Sequence, residues 1–230
     1  MAFQNTLTLL VLLCHNHEKM IQHSNTNFRY DIEGGEKLHC KVREGRTALH
    51  RASIGGHDLI VKFLLEKSSD PKKDSNIKDQ NEFSPLSYAA ANGHVNVMRL
   101  LLDVGANMSY RDKEGWTALM HASHNSHFDA VKLLLERGAD VNQESGNRLT
   151  ALIEASKKGH GDIVRLLLKY GAEKTHKDND NRNALLWAIH RNHEGVIQVL
   201  RSAGGKGILQ RSLSDCDEST SGKHKYNKVE

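Results

Sequence analysis

The sequence predicts an all-α fold: a solenoid of stacked helix-turn-helix units joined by β-hairpin-like fingers. Three observations predict it. Thr47-Ala48-Leu49, Ser84-Pro85-Leu86, Thr117-Ala118-Leu119, Thr150-Ala151-Leu152 and Asn183-Ala184-Leu185 recur at steps of 37, 33, 33 and 33 residues. His57, His94, His127, His160 and His193 keep the same steps, so two separate anchors share one period. Gly105, Gly138, Gly171 and Gly204 close four of the units at one register position. A fixed period in this range marks stacked repeats, none of which can bury its apolar face without a neighbour.

Residues 1–42 lack the pattern and read as an N-terminal leader or a degenerate cap. Gly35 lies twelve residues before Thr47, the offset at which Gly105, Gly138 and Gly171 precede their next units. Terminal units are atypical because their outer faces meet water. The apolar run from Leu7 to Leu13, broken by Thr8, is well short of the ~20 residues that cross a bilayer. No Lys or Arg precedes it, so a short helix or unstructured leader is preferred over a signal peptide.

Five units follow, at about 43–79, 80–112, 113–145, 146–178 and 179–206. Thr47, Thr117 and Thr150 stand just before a helical run, where a hydroxyl accepts from an unpaired backbone amide. Pro85 takes a first helical position, which needs no amide donor. Ala52, Ala89, Ala122, Ala155 and Ala188 allow first helices to approach closely, and Leu64, Leu101, Leu134, Leu167 and Val199 give the second helices an apolar face. The closing glycines suit a left-handed helix end, after which the chain turns into a finger, as in Asp140-Val-Asn-Gln143. The four extra residues of the first unit fall in Ser68–Ser75, where Pro71 and its polar neighbours predict a loop. Residues 207–230, Ser-rich and charged, read as a disordered tail.

Composition narrows the function. The formal charge is only +4, and the excess lies in the repeats. A domain held on nucleic acid through phosphates is usually more basic, so a nucleic-acid partner is not expected. Cys14, Cys40 and Cys216 are isolated and odd in number, which fits a reducing compartment, cytoplasmic and/or nuclear, rather than a disulfide framework or zinc module. Five of the 15 histidines follow the repeat register. His17-Glu18 lacks the second histidine of a zinc-hydrolase motif, because Ile21 stands there. No phosphate-binding glycine loop or nucleophile elbow is present. The sequence therefore predicts no catalytic residues, no metal and no cofactor.

The recurring Thr-Ala-Leu start, the turn histidine, the Val-x-x-Leu-Leu second helix and the closing Gly-Ala-Asp together resemble the ankyrin-repeat family over residues 43–206. The resemblance implies a protein-binding scaffold or adaptor, expected to be monomeric, whose recognition surface is concave and lined by fingers and first helices. The positions that vary in such a surface are here Arg46, Arg51 and Ile54; Phe83, Tyr88 and Asn92; Trp116, His121, His124 and Asn125; Leu149, Glu154, Lys157 and Lys158; and Arg182, Trp187, His190 and Arg191. Both tryptophans of the chain are among them, giving a face that is aromatic in the middle and basic toward both ends. That character suits an acidic or amphipathic segment of another protein.

Two further resemblances are narrower. Gly115-Trp116-Thr117 beside basic residues looks like the oligoadenylate-sensing ankyrin domain of a latent ribonuclease, which implies as the alternative a sensor of a small anionic or nucleotide ligand. Leu134, Asp140, Val141 and Asn142 resemble finger sites of asparaginyl hydroxylation, which makes Asn142 a candidate modification site beside its reading as a turn residue. The family's motif histidine survives only as His50, with Ser87, Met120, Ile153 and Leu186 in its place elsewhere. Moderate stability follows, and thermal unfolding followed by circular dichroism is expected well below ~90 °C.

Overall fold

The computed structural model describes residues 43–203. The leader or cap read for residues 1–42, the tail read for 207–230 and the closing Gly204 lie outside the described residues. Each repeat is an inner helix followed by an outer helix. The inner helices are Ala48–Ile54, Pro85–Ala91, Ala118–His124, Ala151–Lys158 and Ala184–His190. The outer helices are Asp58–Lys67, Val95–Asp103, Phe128–Glu136, Gly161–Lys169 and Glu194–Ser202. With the short helix Pro71–Ser75 there are eleven α-helices, preceded by a 3-10 turn at Arg43–Gly45, and no strand among the described residues. Inner helices pack on the next inner helix, outer on the next outer, and each inner helix on its own outer partner.

Local sequence fixes the ends of these elements. The side chains of Thr47, Ser84, Thr117, Thr150 and Asn183 each accept from the amide three residues on, at His50, Ser87, Met120, Ile153 and Leu186. Pro85 opens its helix as expected. Gly105, Gly138 and Gly171 have φ of 92°, 87° and 88°, the left-handed conformation that ends the outer helices. The core is the periodic set predicted: Ala52, Ala89, Ala122, Ala155 and Ala188 are all fully buried, as are Leu101, Leu134 and Leu167. Leu64, whose outer helix begins the described stack, is only partly buried.

The turn histidines tie successive repeats together. Nε2 of His94, His127, His160 and His193 donates to the carbonyls of Ile54, Ala91, His124 and Lys157, at 2.9, 3.0, 2.9 and 3.0 Å. Each acceptor lies in the previous repeat, at or just inside the C-terminal end of its inner helix, where carbonyls lack helical partners. The imidazoles lie so close to the preceding turn that a Cβ on Gly93 would come within 2.5 Å of His127.

The fingers are hairpin-like without being strands. Asp79, Asp112, Ser145 and Asp178 donate their amides to the carbonyls of Phe83, Trp116, Leu149 and Arg182 at 2.9–3.0 Å, closing one tight turn per finger. One backbone bond then joins each finger to the previous one: Gln80 to Glu44, Lys113 to Asn81, Gly146 to Glu114 and Asn179 to Asn147.

The insertion departs from expectation. Instead of a loop, Pro71–Ser75 is a one-turn helix, with Pro71 at its start and Asp70 accepting from the Lys73 amide at 2.9 Å. Both residues suit a helix N-terminus, which outweighs their value as turn signals. Asn76, just after it, donates to the Gly105 carbonyl at 3.1 Å and accepts from the Asn107 amide at 2.8 Å, fastening the insertion to the second repeat.

His50 is fully buried. Its Nδ1 accepts from the Thr47 amide at 3.1 Å, and its Nε2 donates to the Phe83 carbonyl of the next repeat at 3.1 Å. Burial lowers its pKa below the ordinary histidine value, and a proton on Nδ1 would also remove an acceptor. The unfolded chain therefore binds a proton at higher pH than the folded one. Stability from this group is complete above about pH 6.5 and is lost as pH falls toward the depressed folded value. The urea unfolding midpoint is expected to drop between about pH 7.5 and about pH 5, and to drop less in His50→Gln.

Candidate functional site

The site is built on buried carboxylates near the junctions between repeats. Asp79, Asp112 and Asp178 sit at equal register in the fingers and are 5–6 % exposed. Through Oδ1 each accepts two finger amides: Asn81 and Phe83, Glu114 and Trp116, Asp180 and Arg182, at 2.8–3.0 Å. Through Oδ2 each accepts from the inner-helix side chain nine residues on. The donors are the Tyr88 hydroxyl at 2.6 Å, His121 Nε2 at 2.8 Å and Trp187 Nε1 at 2.6 Å. Burial, reinforced by the bond to Asp79, pushes the Tyr88 hydroxyl up to about 12. Burial opposes ionisation of Asp112, but its bonds from His121 and the finger amides hold the carboxyl below the usual range.

The junction of the third and fourth repeats inverts the arrangement. Its finger carries Ser145, whose hydroxyl accepts from the Leu149 amide at 3.1 Å, and the carboxylate moves nine residues on to Glu154. Glu154 is fully buried, so it is not the outward-facing residue expected from the sequence. It accepts from His124 Nδ1 of the third repeat at 2.7 Å and from Lys157 Nζ at 3.5 Å. His124 thereby joins two repeats through its side chain as well as its carbonyl.

Above the carboxylates runs a column of rings. Tyr88 packs on Phe83 at 4.8 Å, Phe83 on His121 at 4.9 Å, His121 on Trp116 at 5.1 Å and Trp116 on His124 at 5.1 Å. All five are part-exposed. The column crosses the second and third repeats of the face that fingers and inner helices form. At its N-terminal end the Arg46 guanidinium lies 5.1 Å from the Tyr88 ring and donates to the Tyr88 oxygen at 3.0 Å.

Trp187 corrects the sequence reading. It is 8 % exposed, and its indole N–H is spent on Asp178, so it belongs to the stack rather than projecting from it. Lys157, Arg182 and Arg191 surround its ring at 4.9, 4.8 and 5.9 Å, and His190 meets it edgewise at 5.9 Å. Of the remaining candidates, Lys158 and His190 are exposed, whereas Arg51 is half-buried with its Nε lacking a partner among the described residues. Asn142 has both ends of its carboxamide engaged with the next repeat, donating to the Gly171 carbonyl at 3.2 Å and accepting from the Glu173 amide at 2.8 Å.

The aspartates and Asn76 were missed by sequence reasoning, although a signal existed. Asp79, Asp112 and Asp178 keep the same register as the motif and precede the variable aromatic or histidine by nine residues. No cluster of three or more metal-ligating side chains occurs among the described residues, and no described helix is long and apolar enough to cross a membrane.

Comparison with known proteins gives one pattern throughout. The model described as ankyrin repeats in three copies matches residues 69–145 and 141–210, and that for a single ankyrin repeat matches 44–79. The 26S proteasome non-ATPase regulatory subunit 10 of Dictyostelium discoideum is 42% identical over 73 residues, covering 32% of this chain and 30% of that protein. Delta-latroinsectotoxin-Lt1a of Latrodectus tredecimguttatus is 34% identical over 79 residues, 34% of this chain and 6% of its own length. The human transient receptor potential cation channel subfamily A member 1 is 34% identical over 81 residues, 35% of this chain and 7% of the channel. The chain thus spans less than a third of each of these relatives.

Truncating Trp187 to Ala is expected to cost about 3–5 kcal/mol in urea denaturation, as for a core indole. Trp187→Phe should still cost about 1–3 kcal/mol, because the Asp178 carboxylate loses a donor.

Proposed function

Because the chain belongs to the ankyrin-repeat family, we propose that it acts as a non-enzymatic scaffold or adaptor that holds a segment of another protein against its concave face. The observation that carries this reading is the continuous ring column from Tyr88 to His124, part-exposed and fixed from beneath by Asp79, Asp112 and Glu154. A surface whose side chains are already ordered loses little entropy on binding, and Trp and Tyr are among the residues that dominate interface energies. Phe83, Trp116 and His124 offer the apolar contact, with Lys157, Lys158, Arg182, His190 and Arg191 toward the C-terminal end. An acidic or amphipathic segment fits that composition. The proteasome relative is named as a non-ATPase subunit of a larger assembly, which agrees with a non-catalytic part for this stack. A monomeric protein of the cytoplasm or nucleus is the corresponding setting.

The test is quantitative affinity capture with the full chain as bait, comparing Trp116→Ala with Phe128→Ser on the outer helices. A partner held on the concave face should fall about thirtyfold with Trp116→Ala, the loss expected at an interface hot spot, and stay unchanged with Phe128→Ser. Recovery that ignores Trp116→Ala would exclude this face.

A further inference from the structure

Positive charge on the concave face is compensated unevenly. At the N-terminal end, Arg46 is closed off by Glu44 at 2.8 Å, by Asp79 at 3.5 Å and by the Tyr88 hydroxyl at 3.0 Å. At that end Arg46 is thus compensated, whereas Arg51 has no ion pair among the described residues. At the C-terminal end, the Arg182 and Arg191 guanidinium groups have neither an ion pair nor a hydrogen bond among the described residues, and both lie over the Trp187 ring.

The two buried acids nearby are committed elsewhere. Asp178 is 5 % exposed and holds the Trp187 indole and two finger amides. Glu154 is fully buried and holds His124 and Lys157. Asp180, exposed at the finger tip, pairs with no cation among the described residues. The indole attracts both guanidinium groups electrostatically and holds them 4.8 and 5.9 Å from its centroid without consuming their N–H donors. Two forks of unused donors beside one ring are suited to carboxylates, which accept from arginine in bidentate geometry.

We propose that Arg182 and Arg191, gathered over Trp187 with Lys157 beside them, form the subsite that reads acidic side chains of a bound protein segment. This rests on the concave face being the recognition surface. The apolar residue of the same segment lies on Phe83 and Trp116. Trp116 and Trp187 are two repeats apart, about 20 Å at the 8–10 Å spacing of packed helices. An extended chain advancing ~3.3 Å per residue covers that gap in about six residues. The segment is therefore an apolar anchor followed, some six residues on, by paired acids. A nucleic-acid strand fits less well, because its regularly spaced phosphates would need cations along the whole face, and the centre is underlaid by Asp112 and Glu154 instead.

The probe is a fluorescently labelled octapeptide with one leucine, a Ser/Gly spacer and a terminal Glu-Glu pair, titrated against the full chain by anisotropy beside its Gln-Gln counterpart. The acidic peptide should bind about tenfold more tightly at low salt. In the Arg182→Gln/Arg191→Gln double variant that preference should vanish, while the circular dichroism spectrum stays that of the folded stack. Lys132→Gln, on an outer helix, should leave the preference intact. Equal binding of the two peptides, or a preference that survives in the double variant, overturns the subsite. If both peptides still weaken with Trp116→Ala, the recognition face stands without the subsite; if neither responds to Trp116→Ala, both readings fall. An octa-adenylate RNA that binds more tightly than the acidic peptide and depends on the same arginines would overturn the peptide assignment.

Discussion

A buried carboxylate costs several kcal/mol unless its oxygens are paired, and in this chain that cost organises three of the five repeats directly. Asp79, Asp112 and Asp178 use one oxygen to fold the finger and the other to fix the side chain nine residues on. A finger cannot shift against its inner helix without stranding a charge. The residues at the helix position are thus constrained to be donors, which is why a phenol, an imidazole and an indole can exchange there. At the junction of the third and fourth repeats the acid and its partner trade places, and Glu154 reaches back to the repeat before it instead.

The consequence is that stacking and recognition draw on the same side chains. Tyr88 and His121 spend their polar atoms inward and offer ring edges and faces outward, so the surface is ordered before anything binds. Trp187 lies at the buried extreme of this compromise. The indole gives up its own exposure, and the cations arranged on it take over the contact with the surroundings.

Much of the architecture was legible because repetition turns weak local signals into strong ones. The fully buried alanines, the helix caps and the left-handed glycines fall where two periodic anchors place them. The chemistry between repeats was less legible. Trp187 shares its register position with the part-exposed Tyr88, and nothing in the local sequence distinguishes their burial. Neutralisation of Arg46 by Asp79 joins residues 33 apart, and the loss of charge at that end appears only when the fingers are stacked. The insertion was misread because proline and aspartate serve turns and helix starts equally well, and the fastening to Gly105 and Asn107 is a tertiary fact.

The fingers make one backbone bond at each junction, whereas the helices at the same junction share a continuous apolar seam and a histidine bond. Mechanically, the stack is a beam with a stiff spine and a soft inner edge. A bend that spreads the fingers strains the four backbone bonds and the side-chain bonds beside them, such as Lys78 to the Arg111 carbonyl and His176 to the Arg148 carbonyl, while one that separates the helices opens a dry seam. The curvature of the inner face is therefore its compliant coordinate, and a partner can flatten or tighten the arc for far less energy than it would need to twist or part the repeats.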